Sequence, residues 1–213
     1  SQVALGQRRS LDEYEQLLES NVEELQRLSR IVENILFLAQ ADHATLAVEC
    51  SALDLHEELG KVTDYFEGIA DERGLRFELQ AQGICHANRD MWRRAVNNLV
   101  INAVRYGEAD GVIRIQAESD ASGSRILVDN RCEGVTPHAM ARMFDRFYRG
   151  DRSRSAFTES NGLGLAIVKA IMALHRGTAA VECPQPGWIR FSLFFPSAAT
   201  QAAQVQAAPP LPT

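Results

Sequence analysis

The sequence predicts an α+β fold: an α/β sandwich with a mixed sheet and helices on one face, preceded by one long α-helix. Three observations carry this expectation. Apolar residues recur in steps of three and four from Leu11 to Ala39. Beyond Asp42 short alternating segments take turns with helical ones, and a glycine turn at Gly162 and Gly164 opens the last helical segment. At 213 residues and 46% hydrophobic, the chain can bury a core in one domain plus a smaller element.

The elements follow in order. Leu11, Tyr14, Leu18, Val22, Leu25, Leu28, Val32, Ile35 and Ala39 form a heptad-like stripe, with Glu and Arg on the other faces. Ser10 with Glu13 reads as a capping box, Gly6 to Arg9 as the turn of a helical hairpin, and Ser1 to Leu5 as the end of a preceding helix. So long a helix needs a partner, either the domain that follows or the bundle of a second copy. Val48 to Leu53 reads as a strand, Asp54 with Glu57 as the cap of a helix to Arg73-Gly74, and Leu75 to Leu79 as a strand. A helix from Asp90 to Tyr106 ends at Gly107. Val112 to Ala117 and Arg125 to Val128 read as neighbouring strands joined by the turn Asp120 to Gly123. Thr136-Pro137 starts a short helix to Phe144. Asp145 to Asn161, polar and carrying four arginines, reads as a long flexible loop. Gly162 to His175 is helical, and Thr178 to Glu182 with Trp188 to Phe195 close the sheet. The domains are thus 1–42, 43–197 and a tail over 198–213, whose Ala, Gln and Pro composition predicts disorder.

Composition excludes several classes. A net charge of −6 and a pI near 5.4 argue against a nucleic-acid binder, which is usually basic. Four cysteines far apart, with no C-x-x-C, point to reduced thiols in a cytosolic setting rather than disulfides or zinc. No apolar run approaches the roughly 18 residues that span a bilayer. The chain starts without Met and with an amphipathic segment under way, as a piece of a longer protein would.

The chemistry lies in a few short stretches. Asn98-Leu99-Val100-Ile101-Asn102 puts two carboxamides on one helix face, with Arg105 a turn beyond Asn102. A carboxamide oxygen suits Mg²⁺, and an arginine can pair with a phosphate bidentately. Taken alone, the pair fits local bonding within the helix better than a ligand site. Val128 to Val135 is a strand running into a turn, where a polar residue can reach a base edge and Gly134 lets backbone approach a ring. Phe144 to Arg149 offers aromatic anchors, or simply a hydrophobic helix end. Gly162-Leu163-Gly164-Leu165 opens a helix, where backbone N–H groups can hold phosphate.

In this order and spacing, the stretches resemble the boxes of bacterial two-component sensor histidine kinases, whose ATP-binding domain has the Bergerat fold. Asn98 to Tyr106 (N-L-V-I-N-A-V-R-Y) resembles the N box, Met143 to Arg149 the F box, and Gly162 to Lys169 (G-L-G-L-A-I-V-K) the G2 box, followed by His175-x-Gly177. Residues 1–42 resemble the end of the first and the whole of the second dimerisation helix. The resemblance implies that Asn102 ligates the Mg²⁺ bridging the ATP phosphates and, with Arg105, supports catalysis. It implies that Asn98, Arg105 and Tyr106 line the phosphate and sugar side. Asp145 to Asn161 would be the ATP lid, and Gly162, Leu163, Gly164 and Leu165 would close on the triphosphate. It further implies a homodimer through the helical bundle, a response regulator as partner, and the cytoplasmic portion of an inner-membrane protein, attached through segments outside this sequence.

Three departures stand out. The G1 box is usually D-x-G-x-G, with the Asp bonding the adenine amino group. Here Asn130 holds the Asp position, Cys132 the first Gly, and Gly134 is retained, whereas Asp129 is out of register. Such an Asn resembles the heavy-metal-responsive subgroup. Ser160 stands where a Gly often leads the G2 box. The acceptor motif, resembling H-E-x-x-T-P, is missing: His56-Glu57 follows the long helix and has no Thr-Pro, and His43, His86, His138 and His175 lack the context. The acceptor helix is expected upstream of Ser1.

Two alternatives stand beside this reading. Bergerat-fold ATPases resemble E-x-x-x-N in the N box, with the Glu as general base. Asn98 occupies that position and cannot take a proton, which suits a His acceptor whose imidazole already has a lone pair. The other alternative is a degenerate ATP domain kept as a dimerisation scaffold, supported by the altered G1 box.

Overall fold

The computed structural model describes residues 11–42, 48–149 and 161–200. The Ser10–Glu13 capping box, the Gly6–Arg9 turn, most of the expected lid and the tail beyond Thr200 lie outside the described residues. The long helix α1 spans Leu11–Asp42. Strand β1 (Ser51–Asp54) leads directly into helix α2 (Leu55–Asp71), where Asp54 caps the first turn by accepting the Glu57 N–H at 2.9 Å. Then come β2 (Arg76–Ala81), β3 (Ile84–Ala87), α3 (Arg89–Tyr106), β4 (Val112–Ser119), β5 (Gly123–Arg131) and α4 (Pro137–Arg142). Helix α5 (Gly164–Leu174) precedes β6 (Thr178–Glu182) and β7 (Trp188–Pro196).

The mixed sheet has five strands in the order β2-β4-β5-β7-β6. Only β2 and β4 run parallel, and α3 lies in the crossover between them. A second, two-stranded ribbon pairs β1 with β3, with Leu53 opposite Cys85. Sequence reading had no strand at β3 and began β1 three residues early. Four residues closed off by Gly83 and Asn88 are too few to show alternation.

Alternation decides which face is covered. Ile113 and Ile115 of β4, Ile126 and Val128 of β5, and Ile189, Phe191, Leu193 and Phe195 of β7 are all buried. They meet Leu59, Val62 and Phe66 of α2, Trp92, Leu99 and Val100 of α3, and Ile167, Val168 and Ile171 of α5 in one core. Each such side chain contributes about 1.5–3 kcal/mol by leaving water. The opposite face is polar and self-paired: Arg114 meets Glu78 at 3.0 Å, and Arg190 holds Asp129 through two bonds of 2.8 and 2.6 Å.

Helix α1 has two stripes. Its inner one docks on the domain: Leu38 is buried, Ile31 and Phe37 pack on the core, and Asn34 Oδ1 accepts from Arg94 at 2.7 Å. Arg94 also lies over the Phe37 ring at 4.4 Å, and Arg146 pairs with Asp42 at 2.6 Å. The heptad-like stripe read from the sequence is the other one. Tyr14, Leu18, Val22, Leu25, Leu28, Val32 and Ile35 are exposed. At the far end, Ala198 to Thr200 are helical, with the Thr200 N–H donating to Ser197 Oγ at 3.2 Å, where disorder was expected.

Candidate active site

Helix α3 carries four of the expected residues and is held at both ends. Asn88 caps its start, accepting the Met91 N–H at 3.1 Å. Arg73, from the turn after α2, donates to the carbonyls of Val104 and of Gly107 (2.9 Å) at its end. There the guanidinium also meets the negative end of the helix dipole. A buried carboxylate steadies the first turns. Glu58 of α2 is 1% exposed and takes bonds from Arg93 (2.9 Å), Arg89 and Lys61 (3.2 Å). Burial alone would raise its carboxyl, but these bonds and charges outweigh that and hold it below the usual carboxylate range.

Along α3, Asn98, Asn102, Arg105 and Tyr106 are all half-buried. The Asn98 Nδ2 donates to the Arg94 carbonyl at 2.7 Å, the local bond that the sequence left open. Its Oδ1 points away, toward the start of α5. A β-carbon on Gly164 would lie 2.7 Å from that oxygen, so only glycine lets the two helices come this close. Gly162 has φ +65°, and the Phe147 N–H donates to its carbonyl at 2.8 Å, which joins the expected F and G2 boxes. Phe147 itself is exposed, with φ +62°.

Helix α5 starts without a cap. Asp54, Asn88 and Thr136 cap α2, α3 and α4 with their side chains, whereas Leu163 offers α5 none. Its first N–H groups therefore keep their donors for an anion. Leu163 is buried and Leu165 half-buried, anchoring the turn.

A cleft of ≈ 1000 Å³ opens between α1, α2 and α3, and Asn98, Arg105 and Asn161 stand on its wall with Arg27 and Arg30 of α1. Asn102 and Tyr106 are not in its lining. Asn130 is 2% exposed on the helix-covered face, its Nδ2 donating to the Arg131 carbonyl at 3.0 Å, and Asp129 is turned to the opposite face by Arg190. The register argument against Asp129 thus has a geometric counterpart. Gly134 (φ +74°) lines a separate hollow of ≈ 330 Å³ with Arg131, Glu133 and Gly187. Sequence reasoning missed Arg73, Glu58 and Arg94, whose partners are remote in the chain and leave no local motif.

Residues 87–199 match the family of histidine kinase-, DNA gyrase B-, and HSP90-like ATPases. The chain belongs to this family. Among curated relatives of this ATPase domain, the sensor histidine kinase CusS of Escherichia coli O157:H7 is 42% identical over 199 residues, which are 92% of this chain and 41% of CusS. The chain therefore spans about two fifths of that relative's length. Among solved structures, the histidine kinase AdeS of Acinetobacter baumannii superposes with a TM-score of 0.75 at 22% identity, covering 92% of this chain and 90% of AdeS. Full-length ShkA in complex with AMPPNP gives a TM-score of 0.75 at 24% identity, covering 91% of this chain and 41% of ShkA. These two likenesses concern the fold. No helix among the described residues is long and apolar enough to cross a membrane.

Proposed function

We propose that this chain is the ATP-binding catalytic core of a sensor histidine kinase, which transfers the γ-phosphoryl group of ATP to a histidine outside this chain, for relay to a response-regulator aspartate. The observation that carries the reading is the meeting of Asn98 with the uncapped start of α5 at Gly164. An amide-rich helix face and a set of free N–H donors there share one corner, as a polyphosphate requires.

The donor set fits Mg·ATP. Neutral carboxamide oxygens at Asn98 and Asn102 suit a hard cation that keeps most of its waters, and Asn102 is its ligand in this reading. Bound there, Mg²⁺ supplies charge neutralisation for the phosphate oxygens. Arg105 and Tyr106 orient the phosphate and sugar side, and Gly162, Leu163, Gly164 and Leu165 present backbone N–H groups to the phosphates. Asn130 accepts from the adenine amino group, and Gly134 gives the turn beside it its shape. No residue at the Asn98 position can take a proton, so these groups act by positioning and electrostatics, which suffices when the nucleophile is an imidazole. Residues 1–42 belong to a helical hairpin that dimerises through the exposed stripe of α1, residues 43–197 form the catalytic domain, and residues 198–213 form a tail. The intact protein sits in the inner membrane with this part on the cytoplasmic side.

Titration with Mg·ATP tests the reading. Saturable binding, with slowed amide exchange in the first turn of α5, is expected. Absence of binding at millimolar nucleotide would overturn it in favour of a scaffold. In the full-length protein, Asn102→Ala is expected to abolish phosphotransfer while leaving the fold intact.

A further inference from the structure

We infer that His175 is a positioning residue for the nucleotide: bonded to Asn88, it pins the end of α5 to the start of α3 and thereby holds Gly164 against Asn98. This rests on the nucleotide reading above.

The two helices run antiparallel, pack together in the core, and make a close polar contact at each end of the shared stretch. At one, Gly164 opens α5 beside Asn98 in the middle of α3. At the other, His175 closes α5 beside Asn88, the cap of α3. The stretch of α3 between Asn88 and Asn98 and the stretch of α5 between Gly164 and His175 are nearly equal, so the contacts lie roughly 15 Å apart along both axes. Two fixed points at that separation set both the register and the tilt of one helix on the other. The buried Ile167, Val168 and Ile171 seat α5 on the core, and the polar contact at each end sets its fine register, so a shift at His175 moves Gly164 relative to Asn98.

The second point is built as a pin. His175 is 2% exposed. Its Nδ1–H donates to the Ile171 carbonyl at 2.8 Å, which leaves Nε2 as the acceptor for the Asn88 backbone N–H at 3.0 Å. The Phe195 ring stands edge-on to the imidazole at 5.3 Å between centroids, so the ring cannot turn without losing packing. Asn88 is tied down further, its Nδ2 donating to the Glu49 carbonyl at 3.2 Å. Burial pushes the imidazole below the ordinary histidine range against the opposing pull of the Ile171 carbonyl, so it is neutral and accepting at neutral pH. The titratable groups on neighbouring elements include Cys50 ahead of β1 and Cys85 on β3, whose thiols burial pushes up, His86 on β3, and Arg89 and Asp90 in the first turn of α3. Protonation at Nε2 would turn the acceptor into a donor facing another N–H, and the pin would open.

The test compares the wild-type chain with His175→Phe and His175→Gln, by calorimetric titration with Mg·AMPPNP and by amide exchange of the nucleotide-free chain. His175→Phe keeps a ring against Phe195 and removes the acceptor. Its dissociation constant is expected to rise about fivefold, the worth of one neutral hydrogen bond, and the first-turn amides of α3 to exchange faster. His175→Gln supplies an acceptor again and restores both. As pH falls below about 6.5, through the lowered range in which the buried His175 takes up its proton, the wild type is expected to lose affinity and His175→Gln to keep it. Wild-type affinity and exchange in His175→Phe, or equal acid sensitivity in wild type and His175→Gln, would overturn the pin. If His175→Phe does not fold, the pH comparison with His175→Gln decides. A wild type that binds no nucleotide sinks the kinase reading instead, and the amide exchange of α3 still judges the pin.

Discussion

Gly164 stands where any β-carbon would come within 2.7 Å of Asn98 Oδ1. The carboxamide cannot swing away freely, because its Nδ2 is bonded to the Arg94 carbonyl at 2.7 Å. A residue of α3 and a residue of α5 are therefore fitted to each other at the corner assigned to the phosphates.

Gly164→Ala should separate binding from stability. Gly164 is the first residue of α5, where alanine gains less over glycine than the about 1 kcal/mol of a helix interior, so the melting temperature should fall slightly while binding suffers more. The dissociation constant for Mg·AMPPNP should rise about tenfold, equivalent to about 1.4 kcal/mol, as Asn98 is displaced. Calorimetry and a thermal melt check both halves. Unchanged affinity would remove this corner from the site.

Asn130→Asp removes a donor from a buried position. The Arg131 carbonyl would face a carboxylate instead of an N–H, at a cost of about 1–3 kcal/mol. Urea unfolding should show the loss in the free chain, and saturating Mg·AMPPNP should recover part of it if an adenine amino group meets the carboxylate. Equal losses with and without nucleotide would argue against an adenine contact at Asn130.

Glu58→Ala should loosen the start of α3. The partners Arg89 and Arg93 are 45% and 40% exposed and can rehydrate, so a loss near 2 kcal/mol is expected rather than the 3–5 kcal/mol of a wholly buried pair. The pH dependence has a definite sign. The Glu58 carboxyl is held below its ordinary value. Its contribution is therefore complete above about pH 4.3 and is lost as pH falls through the lowered folded value. Chemical melts between about pH 3 and pH 6 should show a shallower acid decline in Glu58→Ala than in the wild type.

Leu25→Glu tests the exposed stripe of α1. Leu25 is 65% exposed and belongs to no core cluster, so the change should shift domain stability by no more than about 0.5 kcal/mol. Sedimentation should show weakened self-association. Association as in the wild type would move the dimer contact elsewhere.

Much of this fold was legible because its determinants are local. The caps at Asp54 and Thr136, the helix over Asn98 and Asn102, and the long strands β5 and β7 each announce themselves within a few residues. The boxes were legible for the same reason. What could not be read depends on partners remote in the chain: β3 exists because β1 lies beside it, Arg73 matters because it meets Val104 and Gly107, and His175 because it meets Asn88. The heptad-like stripe of α1 misdirected attention from its docking side. The stronger apolar pattern faces solvent, and the side that grips the domain is partly polar, through Asn34 and Asp42.

That grip has a mechanical consequence. Beside its apolar seat at Leu38, helix α1 has two polar tethers, Arg94 from the helix of the asparagine pair and Arg146 from the aromatic segment before the glycine turn. The tethers add direction to that seat, one toward α3 and one toward the segment before the glycine turn. The Arg146–Asp42 tether is a half-exposed ion pair, worth at most about 1 kcal/mol. Twisting α1 therefore strains α3 and the segment before the glycine turn together; the ion pair gives way first, while the buried Leu38 keeps the helix seated on the nucleotide domain.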